Sequence, residues 1–269
     1  MKAHTFSGAV RELVLQRQLL RELVARDIQA RHRGTFFGLG WLVAYPVLMM
    51  SVYSFVFGGI FKSRWLNQGG LGDFVVMLFC GLIVFTLFSE VLNRAANSIT
   101  SQPNFVKKVV FPLQLLPLVA LGSALFNAAI SFMLLVLLML ATGFGLPATA
   151  VFAPLVLLPL LLLTAGAAWA IAALGVFFRD LGQIVGIATS ALLFLSPVFF
   201  PLASVPALAQ PFMLANPLTN PMEEIRHVLV MGVAPDWAKL GLYTLLAAGV
   251  AWAGLWLFQR SRPAFADVL

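Results

Sequence analysis

Long apolar runs with no charged residue inside them dominate this chain. Asp, Glu, Lys and Arg are absent from residues 34–61, 74–89, 109–178, 181–222 and 240–259. A helix needs roughly 20 residues to cross about 30 Å of hydrocarbon, so each run has spanning or near-spanning length. The third run holds two crossings, divided where Thr142, Gly143, Gly145 and Pro147 cluster as turn residues. The pattern predicts six helices. These run from Phe36 to Phe61, Asp73 to Asn93, Leu113 to Ala141, Thr149 to Phe178, Leu181 towards Pro197 and Pro201, and Lys239 to Phe258. Membrane strands would alternate apolar and polar residues in short segments, and these continuous runs do not. The fold class is therefore an all-α integral membrane protein.

The segments between the runs carry their own signals. Before the first crossing, Val10, Leu13, Val14, Leu20, Val24 and Ile28 fall within one helical arc. Arg11, Gln18, Glu22, Arg26, Gln29 and Arg33 gather on another. Residues 1–34 are expected to form a cytoplasmic amphipathic helix lying in the membrane interface, supported by Glu22 with Arg26 and Asp27 with Arg31 at i, i+4 spacing. Arg17 and Arg21 interrupt its apolar arc. Between the second and third spans, Arg94 to Pro112 reads as a short helix, a break at Pro103 and a return to the membrane at Pro112. Arg179 and Asp180 make a tight turn. Residues 201–237 contain Pro201, Pro206, Pro211, Pro217 and Pro221, too many for a full crossing, so short helices dipping back into the bilayer are predicted. The second of these should start after a capping Asn220, with Glu223 and Glu224 near its positive end.

Composition agrees: of 269 residues, 61% are apolar and only 10% charged, far too few charges for a soluble domain of this length. The net charge of +7 reports topology rather than nucleic-acid binding, because the basic residues flank the spans instead of forming one face. With the N-terminus inside, 13 of the Lys and Arg residues fall on cytoplasmic segments and only Lys62, Arg64, Arg226 and Lys239 lie outside. Both termini are thus expected in the cytoplasm. Residues 1–33 hold seven basic groups and no uninterrupted apolar core, unlike a cleaved signal peptide. The single Cys80 excludes an internal disulfide and a Cys-based metal site.

The chain offers no energy source of its own. No Gly is followed by Lys, so the phosphate loop GxxxxGK[ST] is missing. No acid lies mid-span to carry a proton, Glu90 being near the cytoplasmic boundary, where capping or pairing with Arg94 is the simpler role. His4, His32 and His227 are scattered, and His227 beside Glu223 and Glu224 fits a wet helix better than a metal site. No catalytic or cofactor constellation is expected. Without a visible internal repeat, six helices resemble half of a larger assembly.

Five strings in order carry a family resemblance: ARDIQARHRGTFFGLGWLVAYPVLMMSVYSFVFGGIF from Ala25, NFVKKVVFPLQLLPL from Asn104, VFFRDLGQIV from Val176, LSPVFFPLASVP from Leu195 and NPLTNPMEEIRHVLVMG from Asn216. Together they resemble the permease subunits of type-2 ABC polysaccharide exporters, which carry O-antigen, teichoic acid or capsular polysaccharide. The RGTFFGLGW start and the RDLGQ turn look most like the O-antigen branch. The resemblance implies a homodimer in the bacterial inner membrane, joined to two copies of an ATP-binding subunit that holds the ATP and Mg. It also implies a passage for an undecaprenyl-type lipid-linked glycan, with residues 35–269 as the transmembrane domain. A coupling helix is then expected at Arg94 to Gln102, with Arg94, Asn97, Ser98, Lys107 and Lys108 transmitting motion from the ATPase. Arg26, Arg31 and Arg33 are candidates for a lipid pyrophosphate, which guanidinium groups bind through paired hydrogen bonds, or for membrane phospholipids. Trp41, Tyr45, Tyr53, Phe55, Phe194 and Phe199 are candidate channel-lining aromatics for sliding sugar rings. Glu223, Glu224 and Arg226 are expected at the wet outer mouth of a periplasmic gate. Export of a drug or small lipid by a related permease, and an ion-coupled flippase, are the competing functions.

Overall fold

Residues 15–60, 71–107 and 111–268 are described by this computed structural model, with backbone alone for His32, Leu71 and Lys107, and no strand occurs among them. Helix α1 spans Arg17–His32 and α2 spans Trp41–Tyr53, the latter entered through a 3-10 turn at Gly38–Gly40 and prolonged by π-helical turns over Ser54–Ile60. Next come α3 (Leu71–Ala95), α4 (Pro103–Lys107), α5 (Leu115–Ala141) and α6 (Ala153–Phe177). They are followed by α7 (Leu181–Phe194), α8 (Gln210–Ala215), α9 (Thr219–Arg226), α10 (Trp237–Ser261) and α11 (Phe265–Val268).

Among the described residues, five helical segments are long and apolar enough to cross a bilayer: Gly38–Ile60, Gly72–Ala95, Leu115–Ala141, Ala148–Phe177 and Trp237–Val268. Each coincides with an apolar run of the sequence. The fourth charge-free run, residues 181–222, behaves differently. Helix α7 has 14 residues, so at about 1.5 Å per residue it reaches roughly 21 Å, short of the hydrocarbon thickness. Its end is fixed by polar groups. Ser196 Oγ donates back to the Leu192 carbonyl at 2.6 Å, and Asn216 Nδ2 donates to the Leu195 carbonyl and to Ser196 Oγ, both at 2.8 Å. Carbonyls that a helix C-terminus leaves unpaired thus find partners in the next segment.

Helix α3 is the centre of the bundle, with Leu78, Val84, Leu87 and Val91 buried against neighbours from α5, α6 and α9. Helices α6 and α10 approach most closely. A Cβ placed on Gly254 would lie 2.0 Å from the Gly166 carbonyl oxygen, and one on Gly166 would lie 2.5 Å from that of Val250. Small residues permit such backbone contact in membranes, where dispersion rather than water expulsion drives helix association. Helix α2 is the opposite case: none of its residues is buried.

Side-chain contacts sort the elements onto two ends of the bundle. Helix α1, the 96–107 segment, the 178–180 turn and α11 share one end, where Arg262 Nη2 donates to the Phe111 carbonyl at 3.4 Å and Phe265 is fully buried. At the other end Thr149 Oγ1 donates to the Val228 carbonyl at 2.7 Å, and Tyr243 Oη to that of Pro217 at 2.8 Å. The first and last described helices therefore lie on the same side.

Two local expectations are corrected. Residues 96–101 form hydrogen-bonded turns rather than a helix, and the helix of this loop begins at Pro103 instead of breaking there. Proline suits a first helical position, where its missing N–H is not needed. Asn220 does not cap α9, which starts a residue earlier at Thr219. Asn216 organises that start, its Oδ1 accepting from the Leu218 amide at 2.9 Å, while the Asn220 Oδ1 is buried without a partner.

Candidate functional site

Where α1 meets the bundle, two acids and two arginines from two stretches of sequence interlock. Arg94 Nη2 donates to Asp27 Oδ1 and Oδ2, each at 2.7 Å, and Arg31 Nη1 donates to Glu90 Oε1 at 2.5 Å. Cross-links of 3.5 Å from Arg31 to Asp27 and 3.7 Å from Arg94 to Glu90 close the ring. Helix α5 supplies the neutral donors: Ser123 Oγ to Asp27 Oδ2 at 2.6 Å, and Asn127 Nδ2 to Glu90 Oε2 at 3.2 Å. Such charge-assisted bonds are roughly twice as strong as neutral ones, and the four charges sum to zero. The cluster fastens α1 onto α3 and α5, helped by Val24 packing into the space above Gly122.

Beside this cluster opens a cavity of about 930 Å³ between α2 and the faces of α3, α5 and α7. Trp41, Tyr45 and Tyr53 line it from α2, and Ser89, Glu90 and Asn93 line it from α3. Asn127 and Ser131 line it from α5. Its wall therefore combines aromatic faces with hydroxyl and amide groups. A second cavity of about 630 Å³ lies on the loop side of the charge cluster, between Arg26 and Asp27 of α1 and Asn97, Ser98 and Gln102 of the loop.

The candidate residues divide accordingly. Of the six aromatics, Trp41, Tyr45 and Tyr53 share the larger cavity, whereas Phe55 and Phe194 are exposed and do not line it. Phe199 is a correction: it is buried, stacked on Phe57 at 4.2 Å between ring centroids, and so belongs to the core rather than to a lining. Asn97 is exposed against the start of α7, near Gly182, and Ser98 Oγ donates to the Ala95 carbonyl at 2.8 Å. The Lys107 side chain and all of Lys108 lie outside the described residues, as do Lys62 and Arg64. Arg26 on α1 and Arg33 just past its end are exposed, while Arg31 is engaged by two carboxylates.

Arg226 is the second correction. Expected at a wet mouth, it is instead fully buried. Its Nε donates to the Met77 carbonyl at 3.1 Å, Nη2 to that of Val198 at 3.3 Å and Nη1 to Glu223 at 3.0 Å. Five guanidinium donors in a rigid fork explain why arginine fits where three elements meet. Gly81 makes room, since a Cβ there would lie 2.5 Å from Nη2. Glu224 is likewise buried and accepts from the Asp236 amide at 3.2 Å. Of the gate trio only Glu223 keeps substantial exposure, at 24% of its side chain.

Asp27, Ser123 and Asn127 complete the cluster without standing out in composition. A signal exists for two of them: Ser123, Asn127 and Ser131 recur every fourth residue along an otherwise apolar α5, which places a polar stripe on one face.

The comparisons with known proteins point one way. Residues 18–230 match the family model of the ABC-2 type transporter. The chain is 31% identical over 260 residues to the O-antigen export system permease protein RfbA of Myxococcus xanthus, covering 96% of this chain and 98% of that protein. It is 21% identical over 252 residues to the protein of the same name from Klebsiella pneumoniae, covering 93% and 95%. The polysialic acid transport protein KpsM of Escherichia coli is 24% identical over 251 residues, covering 93% and 96%. With an all-helical bundle of bilayer-crossing helices matched over most of its length, the chain belongs to the ABC-2 type transporter family of membrane proteins.

Proposed function

We propose that this chain is the passage-forming subunit of an ATP-driven exporter that moves an O-antigen-like, lipid-linked polysaccharide from the cytoplasm across the bacterial inner membrane. The observation that carries the reading is the near-full-length similarity to an O-antigen export permease. In this reading two copies of the chain form the passage and two copies of a separate ATP-binding subunit hold ATP and Mg. In this reading that end of the bundle is cytoplasmic, which the excess of basic residues on α1, the 94–108 loop and the C-terminal segment supports. Helix α7, continued by the non-helical stretch to Pro201, serves as a sixth crossing, its irregular backbone covered by α9 as such backbone requires.

Each group of residues then has a task. Arg94, Asn97 and Ser98, with Lys107 and Lys108, receive motion from the ATPase. Arg26 and Arg33 meet the phosphates of the lipid carrier or of neighbouring lipids, and Arg31 holds the entrance in shape through Glu90. Trp41, Tyr45 and Tyr53 offer ring faces to the C–H faces of sugars. The re-entrant α8 and α9, with Glu223, Glu224 and Arg226, form the periplasmic gate.

Purification from the native membrane in mild detergent, with the mass and composition of the complex determined, tests the assembly. Two copies of this chain with two of a Walker-motif ATPase are expected. Depletion of the chain should remove a surface polysaccharide. A lone monomer or dimer, with surface glycan intact after depletion, would overturn the proposal.

A further inference from the structure

We infer that the polysaccharide passing this chain is uncharged along its repeat, an inference that rests on the export reading above. The cavity beside α2 and the charges around it carry the argument. Helices α2, α5, α6 and α7 contain no Lys or Arg, and those of α3 and α10 sit at helix ends, as Arg94, Lys239 and Arg260. Two cations border the cavity, Arg31 and Arg94, and both are engaged by Asp27 and Glu90 at 2.5 to 3.7 Å. Glu90 itself lines the wall, so an approaching anion meets a carboxylate rather than a free guanidinium. Deeper in the bundle Arg226 is sealed from any passage, its donors turned to Met77, Val198 and Glu223.

A polyanion threading this region would bring one charge per repeat into a low-dielectric surround with no described cation to answer it. Each unpaired charge is strongly disfavoured there, and a polymer meets that penalty at every repeat. A neutral sugar asks for something else: ring faces and partners for its hydroxyls. Trp41 and Tyr45 present the faces, and Ser89, Asn127 and Ser131 present hydroxyl and amide oxygens that keep lone pairs free. This lining suits a neutral cargo, whereas polysialic acid, named for the KpsM relative, carries a carboxylate on every residue.

The test uses the native bacterium with this chain depleted and glycan synthesis left intact. Polysaccharide held back in the cytoplasm is collected, freed from any lipid anchor, and assayed for uronate, sialate and phosphate per repeat. A retained glycan with less than one acidic group in ten repeats is expected, together with loss of the same glycan from the surface. A retained glycan with an acid on every repeat would overturn the inference and leave the export reading standing. If no glycan accumulates and the surface is unchanged, the export reading falls and takes the inference with it.

Discussion

Arg94 Nη2 sits 2.7 Å from each carboxylate oxygen of Asp27, joining residues 67 positions apart and making the N-terminal helix part of the bundle. Beside this bond, α1 is held by Ser123 Oγ donating to Asp27, by Arg31 donating to Glu90, and by the apolar contacts of Leu19, Leu23 and Val24. Both side chains are about three-quarters shielded, so the attraction is only partly screened.

A double-substitution cycle measures that tie. Asp27→Asn and Arg94→Gln should each lower the stability of the purified complex by about 2 kcal/mol, as loss of a charged hydrogen bond does. The pair together should cost little more than the larger single change, since both remove one interaction. Thermal unfolding in detergent reads the result, and strict additivity would mean that the two residues act separately.

The buried Arg226 predicts a sharper loss at the opposite end. Arg226→Met removes the donors to Met77 and Val198 and leaves Glu223 alone, at a cost of about 3 kcal/mol. Arg226→Lys keeps the charge but lacks the fork, so it should recover less than half. Proteolysis within residues 201–237 is the readout: faster cleavage in both variants is expected, and wild-type resistance in Arg226→Met would remove the anchoring role.

Much of the fold was legible because lipid leaves so few options. Charge-free runs became α2, α3, α5, α6 and α10 within a few residues, since backbone hydrogen bonds in hydrocarbon must close inside the helix. The burial of Arg226 had no local signature: its partners are carbonyls 149 and 28 positions away, and any residue supplies a carbonyl. Phe199 illustrates the same limit, because an aromatic between two prolines two residues away on either side reads alike whether it faces a passage or stacks on Phe57. Asp27 was visible as a partner of Arg31, but its second partner, Arg94, comes from a different span.

The aromatic face of α2 separates two kinds of effect. Trp41→Ala and Tyr45→Ala each forgo a stacking contact of about 1 kcal/mol and should slow glycan export roughly fivefold while leaving the assembly intact. Phe199→Ala should instead destabilise the protein by about 3 kcal/mol through a core cavity. Export assays alongside unfolding measurements distinguish them, and equal loss of stability in all three would remove the distinction.

At the start of α10, Asp236 accepts from the Ala238 and Lys239 amides at 3.2 Å and pairs with the Lys239 ammonium at 3.0 Å. The hydrogen bond from the Lys239 side chain, then that from its amide, holds this carboxyl below its ordinary 3.8. A depressed carboxyl stabilises the fold above its unfolded value and loses that contribution as pH falls through the folded one. Trp237, packed edge-on to Phe152 at 5.4 Å, should therefore keep constant fluorescence from pH 8 down to about 4 and change only below it. Asp236→Ala should abolish that acid transition, and its persistence in the variant would assign it elsewhere.

The contact of Gly166 with Gly254 has a mechanical meaning. Two helices that touch through backbone cannot slide or tilt against each other without collision, so α6 and α10 form a fixed post, and α11 with its buried Phe265 rides on it. On the export reading proposed above, widening of the interior falls to α2, which has no buried residue to uproot and ends in π-helical turns. That reading makes the least embedded helix the moving part and the helix pair joined at two glycines its fixed frame.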